Sequence, residues 1–212
     1  MVGGNLLLMK KSIITIAGKP GSGKSSTADL VASRLGYARH SSGDFMRAIA
    51  RRRGVSINTL SEIAESDETI DFEIDEENKK LNDAADIVVD ARLAFHFIPE
   101  SFKVYLDLDL PTAARRIFGQ RHPSRKESGE AAQTPREMEA LIAARLASEK
   151  KRYRHLYGID HTDPRNFDLV INTAHHSLPE VADIIVEEYQ KWRGDEKRSG
   201  ARGEPRSAAQ AS

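Results

Sequence analysis

The stretch Gly18-Lys19-Pro20-Gly21-Ser22-Gly23-Lys24-Ser25 constrains this chain more than any other. It fits the pattern G-x-x-x-x-G-K-[S/T], a loop whose backbone N–H groups wrap the phosphates of a nucleoside triphosphate. Before it, Ser12-Ile13-Ile14-Thr15-Ile16-Ala17 is a β-branched run suited to a buried parallel strand. After it, Ala28, Val31, Ala32 and Leu35 keep helical spacing. Strand, glycine loop and helix start together form an anion site, because the unpaired first-turn N–H groups and the helix dipole both face the phosphates.

The remaining elements suit that unit. Apolar stretches at 12–17, 37–40, 86–90, 102–107 and 168–172 read as five strands. Amphipathic helical stretches separate them, an alternation that argues for an α/β fold with a parallel sheet covered on both faces. The spacing predicts a last helix over 178–193, capped by Ser177 with Pro179 in its first turn. Two segments fall outside this minimal winding. Residues 44–85 are polar and helical, an insertion between the second and third strands. Residues 119–136 are too polar and too broken by glycine and proline for core, and read as a mobile lid ahead of a helix over 136–156.

At 212 residues the chain makes one domain, placed at 12–193, with a disordered leader at 1–11 and a disordered tail at 194–212. Thirty-two basic and thirty-two acidic residues cancel, so no global field draws nucleic acid or a membrane. The chain has no cysteine, which excludes disulfides and thiolate metal ligands and suits a reducing cytoplasm. The apolar run Asn5–Met9 is too short to span a bilayer and lacks the features of a signal peptide. A cytoplasmic monomer is the expectation.

With these elements in place the chain resembles nucleoside monophosphate kinases of the adenylate kinase-like P-loop group, most of all the short cytidylate kinases of archaeal type. Besides Gly18–Ser25, the residues that carry the resemblance are 41–47 (Ser-Ser-Gly-Asp-Phe-Met-Arg) and 87–92 (Ile-Val-Val-Asp-Ala-Arg). Later come 148–153 (Ser-Glu-Lys-Lys-Arg-Tyr), 157–160 (Tyr-Gly-Ile-Asp) and 167–173. The resemblance implies a three-layer P-loop NTPase sandwich, with 44–85 as a small monophosphate-binding insertion and 119–136 as the lid. It also implies Mg²⁺ with ATP as phosphoryl donor, and a nucleoside monophosphate as acceptor. Three features depart from the family. Asp90-Ala91-Arg92 stands where Glu-Gly-Arg is usual, the lid is longer, and 93–99, with His96, matches no base-reading pattern.

Phosphoryl transfer needs in-line phosphates and neutralised charge rather than covalent help. The glycine loop from Gly18 through Lys19, Pro20, Gly21, Ser22 and Gly23 would hold ATP, with Lys24 reaching its β- and γ-phosphates. The Ser25 hydroxyl would hold Mg²⁺. Ser26 either supports a phosphate or faces water. Asp90, at the C-terminal edge of a buried strand, would orient Mg²⁺ through water or serve as a turn aspartate. The resemblance implies Arg47, in Gly-Asp-x-x-Arg, and Arg92, after the third strand, as the acceptor clamp, and a guanidinium's planar fork suits a dianionic phosphate. Asp44 would bond the acceptor's base or sugar, or cap the helix after it. Arg145 and Arg152 lie two turns apart on an apolar helix face, placed either to grip the transferring group or to pair with Glu149. Arg121, and after it Arg116, would touch the triphosphate. Arg51-Arg52-Arg53 and the run Asp71, Glu73, Asp75, Glu76, Glu77 read as solvated faces, and His96, His155, His161, His175 and His176 as surface or packing.

CMP or dCMP is the expected acceptor. Another nucleotide such as AMP or UMP, a small metabolite, or a non-catalytic nucleotide-binding module are the rivals.

Overall fold

The computed structural model describes residues 11–119 and 132–200. Five strands form one sheet: β1 (Ile13–Gly18), β2 (Ala38–Ser41), β3 (Ile87–Asp90), β4 (Phe102–Asp107) and β5 (Leu169–Asn172). Their order is β2-β3-β1-β4-β5, and every neighbouring pair is parallel. The β-branched run therefore occupies the middle of the sheet, where all six residues of β1 are buried. Strand alternation sends Ile14, Ile16, Val88, Val104 and Leu106 to one face. There they meet α1 (Lys24–Leu35) and α8 (Leu178–Gly200) through Val31, Val181 and Ile185. On the opposite face Ile13, Ile87 and Val89 pack under Ala94 of α5 (Ala94–Phe97), and Ala17 and Tyr105 pack with Tyr153 of α7 (Pro135–Tyr157). The result is a three-layer α/β sandwich.

Because all strands run one way, their C-terminal ends share an edge, and the register brings chemistry together there. Ser41 of β2 is opposite Asp90 of β3, and Ile16 of β1 is opposite Asp90 from the other side. Next to this edge stands the inserted segment, folded as α2 (Ser42–Arg53), α3 (Ile57–Ile63) and α4 (Thr69–Lys80). It has a core of its own, made by Ile49, Ala50, Leu60, Ala64 and Ile70. α6 (Leu110–Gly119) and α7 pack together through Ala113, Ile117, Met138 and Ile142.

Helix ends follow local chemistry. Ser41 caps α2 and Thr134 caps α7, each accepting the backbone N–H three residues on. Ser177 and Glu180 exchange bonds at the start of α8, a reciprocal capping box. That helix runs to Gly200, past the expected boundary at 193. Most of the expected lid, the rest of the tail and the leader up to Lys10 lie outside the described residues, as does Arg121. Among the described residues no helix is long and apolar enough to cross a membrane.

Candidate active site

The turn from β1 into α1 is built so tightly that only glycine fits its hinge. A Cβ on Gly18 would stand 2.4 Å from the carbonyl oxygen of Leu106 on β4, and Gly18 has a φ of 152°. Gly23, the N-cap of α1, sits in the left-handed region with φ 87°, a conformation that turns the chain into the helix at little steric cost. The helix thus starts at Lys24 with its first N–H groups turned toward a cleft of about 570 Å³. Pro20, Gly21, Lys24, Ser25 and Ser26 line that cleft. Lys19 and Ser22 stabilise the loop from behind: Lys19 Nζ is 2.7 Å from Asp107 Oδ1, and Ser22 Oγ donates to the Lys19 carbonyl at 2.8 Å.

Asp90 is buried at the end of β3 and lines the same cleft. Ser25 Oγ donates to its Oδ2 at 2.6 Å, and Arg39 NH2 donates to the same oxygen at 3.2 Å. Hydroxyl and carboxylate oxygens held together are the donor set a hard cation takes, so these two residues fit Mg²⁺. Sequence reasoning passed over Arg39. It sits on β2 and also meets Asp29 at 3.2 Å and Asp44 at 3.4 Å. The signal was its place beside the sheet's ligand edge, one strand from Asp90.

Two of the expected arginines, Arg92 and Arg145, converge on a single carboxylate. Arg92 Nε lies 2.8 Å from Glu149 Oε2, and Arg145 Nε donates to Glu149 Oε1 at 3.0 Å. Glu149 is buried, which works against its ionisation, yet Arg92, His161 and Arg145 together hold its carboxyl well below the usual range. His161, itself buried, approaches the same Oε2 at 3.7 Å and stacks edge-on against Tyr153. Arg92 also donates from NH1 to the Gly18 carbonyl, tying the arginine to the loop's first residue. This concentration of charge acts on Lys24, whose ammonium is pushed down to about 8, by burial first and then by Arg92.

Arg47 lines the facing wall and pairs with Asp44, which Arg39 also touches and whose N–H is capped by Ser41. Ser41, not Asp44, is therefore the cap of α2, and Asp44 is an ion-paired residue of the cleft lining. Arg51 lines the cleft too, whereas Arg52 and Arg53 pair outward with Glu73 and Asp67.

Two expected residues stand apart from the cleft lining. Arg116 donates to the side chain and carbonyl of Thr173, bracing α6 against the end of β5. Arg152 is turned beneath the cleft. Its Nε donates to Asp71 Oδ2 at 2.9 Å and its NH1 to the Ser61 carbonyl at 3.1 Å. Glu149 accordingly joins Arg145 to Arg92, not to Arg152.

The carboxylate run on α4 is not one solvated face. Glu73, Glu76 and Glu77 point outward, but Asp71 and Asp75 are buried and line the cleft with Asn78. The signal was present in the spacing: 71, 75 and 78 flank the apolar positions Ile70 and Ile74, so burying the isoleucines turns these polar groups inward as well. Of the histidines, His96 is exposed against the rings of Phe97 and Tyr157. Among the described residues no group of three His, Cys, Asp or Glu is placed to hold a metal.

Comparison with known proteins agrees with this architecture. A shikimate kinase from Acinetobacter baumannii, solved in complex with shikimate, superposes with a TM-score of 0.57 over 85% of this chain and 94% of its own, at 16% identity. That likeness is one of fold. The cytidylate kinase of Halobacterium salinarum is 34% identical over 189 residues, 86% of this chain and 92% of that protein. An S-adenosylmethionine-dependent nucleotide dehydratase from Lacinutrix mariniflava is 33% identical over 183 residues, 85% of this chain but 36% of that longer protein. The model of the cytidylate kinase-like family matches residues 13–175, a span that begins with β1, takes in the glycine loop, the inserted helices and the Arg92–Glu149–Arg145 cluster, and ends beyond β5. On that match, the chain belongs to the cytidylate kinase-like family.

Proposed function

We propose that this kinase uses Mg²⁺ and ATP to phosphorylate a nucleoside monophosphate, CMP or dCMP foremost, giving the diphosphate. One observation supports this above the others: Lys24, Arg47, Arg92 and Arg145 line a single cleft, enough cations for a donor phosphate wall and an acceptor phosphate wall. A plain nucleotide-binding module needs the first wall only.

On this reading the glycine loop seats the donor's phosphates, and Lys24 follows the charge as it moves to the β–γ bridging oxygen. Arg47 and Arg92 hold the acceptor's phosphate so that one of its oxygens attacks the γ-phosphorus as the bond to the bridging oxygen breaks. Arg145 neutralises charge on the equatorial oxygens between them. Ser25 and Asp90 would hold Mg²⁺, which when bound supplies charge neutralisation across the β- and γ-phosphates. Arg152 acts at one remove, holding α7 so that Arg145 faces inward. Arg116 braces the sheet end, and Arg121, outside the described residues, would contact the triphosphate.

Purified protein incubated with ATP and CMP, dCMP, UMP or AMP tests the proposal by ADP release and diphosphate formation. Transfer to CMP or dCMP at the highest kcat/KM is the expected result. No transfer to any of the four defeats it, and tight ATP binding without turnover would leave a non-catalytic module.

A further inference from the structure

Phosphate handling leaves one wall of the cleft without a task. α4 presents Asp71, Asp75 and Asn78 at i, i+4 and i+7, which puts all three on one side of the helix. Asp71 is neutralised by Arg152. Asp75 has no such partner among the described residues. Its Oδ2 accepts the Tyr157 hydroxyl, and the carboxylate is 4% exposed with no ion pair. Burial pushes its carboxyl up to about 6, against the Tyr157 hydrogen bond. Asn78 is 3% exposed, and its Oδ1 accepts from Ser42 Oγ at 3.0 Å, which leaves the amide N–H₂ as the end free for a ligand. An uncompensated buried carboxylate is costly to keep unless something donates to it.

Resting on the kinase reading above, we propose that Asp75 and Asn78 select the acceptor's base. The Asp75 carboxylate accepts an exocyclic amino N–H, while the Asn78 amide donates to the unprotonated ring nitrogen beside it. Cytosine offers that edge in its 4-amino group and N3. Uracil offers the reverse, a carbonyl oxygen beside a ring N–H, so each contact would set acceptor against acceptor or donor against donor. Adenine shares cytosine's pattern; this pair therefore separates amino bases from keto bases, and cleft size has to separate pyrimidine from purine. Both residues would touch the base directly: Asn78 is bonded to Ser42 of α2, the helix that also bears Arg47, and all four residues line the one cleft, so a nucleotide clamped at its phosphate would have its base on their side.

The test measures kcat/KM of the full chain for CMP, UMP and the monophosphate of pyrimidin-2-one riboside, which is cytidine without its amino group. The wild-type protein should prefer CMP to both by roughly tenfold to a hundredfold, the range for a good hydrogen-bonded base contact. In Asp75→Asn the CMP-to-UMP ratio should fall at least about tenfold, because an amide can turn its N–H₂ to the uracil carbonyl. The KM for ATP should stay where it was. Equal use of CMP and the amino-less analogue by the wild-type protein overturns the assignment, and so does a proportional loss on CMP and UMP in the variant. Either result still shows a nucleoside monophosphate kinase at work. Failure to phosphorylate any nucleotide sinks the kinase reading and this inference with it.

Discussion

Replacing Glu149 by glutamine removes a charge while keeping the side chain's shape, and the structure gives the expected cost. The carboxylate is 5% exposed and lies 2.8 Å from Arg92 and 3.0 Å from Arg145. Breaking a buried pair by deleting one partner costs about 3–5 kcal/mol, because the other charge stays buried without compensation. Arg92 is 15% exposed and Arg145 24%, so partial hydration of the guanidiniums favours the lower end, about 3 kcal/mol. For a domain of this size about 3 kcal/mol corresponds to a melting point lower by roughly 6–12 °C. The pH dependence fixes the sign. The folded carboxyl is held well below its ordinary 4.5, so its stabilisation is fully present above pH 4.5 and is lost as pH falls through the folded value. Thermal melts by circular dichroism between pH 3.5 and 7.5 should show a constant deficit at neutral pH that shrinks in acid. Added ATP should narrow the deficit at neutral pH, since its phosphates replace the missing negative charge. A melting point within about 2 °C of wild type at pH 7, or a deficit indifferent to pH, would refute this account of the cluster.

Other expectations follow from the same geometry. Lys24→Ala should abolish most phosphoryl transfer while leaving the fold intact, as read by steady-state rates and circular dichroism. In the wild-type protein the Lys24 ammonium is held at about 8 in the free state, and phosphate contact raises that value. ATP affinity measured by calorimetry should therefore weaken as pH rises through 8, and Lys24→Ala should erase that slope. Arg47→Ala should raise the acceptor KM by about tenfold to a hundredfold, the worth of a charge-assisted hydrogen bond, with the KM for ATP little changed. Gly18→Ala should fail to yield stable protein, because its methyl would collide with the Leu106 carbonyl, and soluble expression is a sufficient readout.

The elements that were legible in the sequence share one property: their signal is local. The β-branched run of β1, the glycine loop and the helical spacing of Val31 and Ala32 each carry their meaning within a few residues, and all reappear in place. The five strands fall within a residue or two of their expected bounds. What stayed hidden depends on pairing across the chain. Arg152 and Asp71 are 81 positions apart, and no periodicity in either segment says that they meet. Asp71 and Asp75 read as solvated charges in the sequence because acidic residues on a polar helix usually are, whereas α4 packs its isoleucine stripe inward and carries them with it. Arg39 went unread for a similar reason: its three carboxylate partners come from α1, α2 and β3.

Arg152 holds α7 to the inserted helices through a side chain that is 7% exposed, gripping Asp71 on α4 and the Ser61 carbonyl on α3. The wall that bears Arg145 and the wall whose neighbouring helix bears Arg47 are therefore fastened at their base. On the proposed reading, a nucleotide would meet two walls already joined through Arg152.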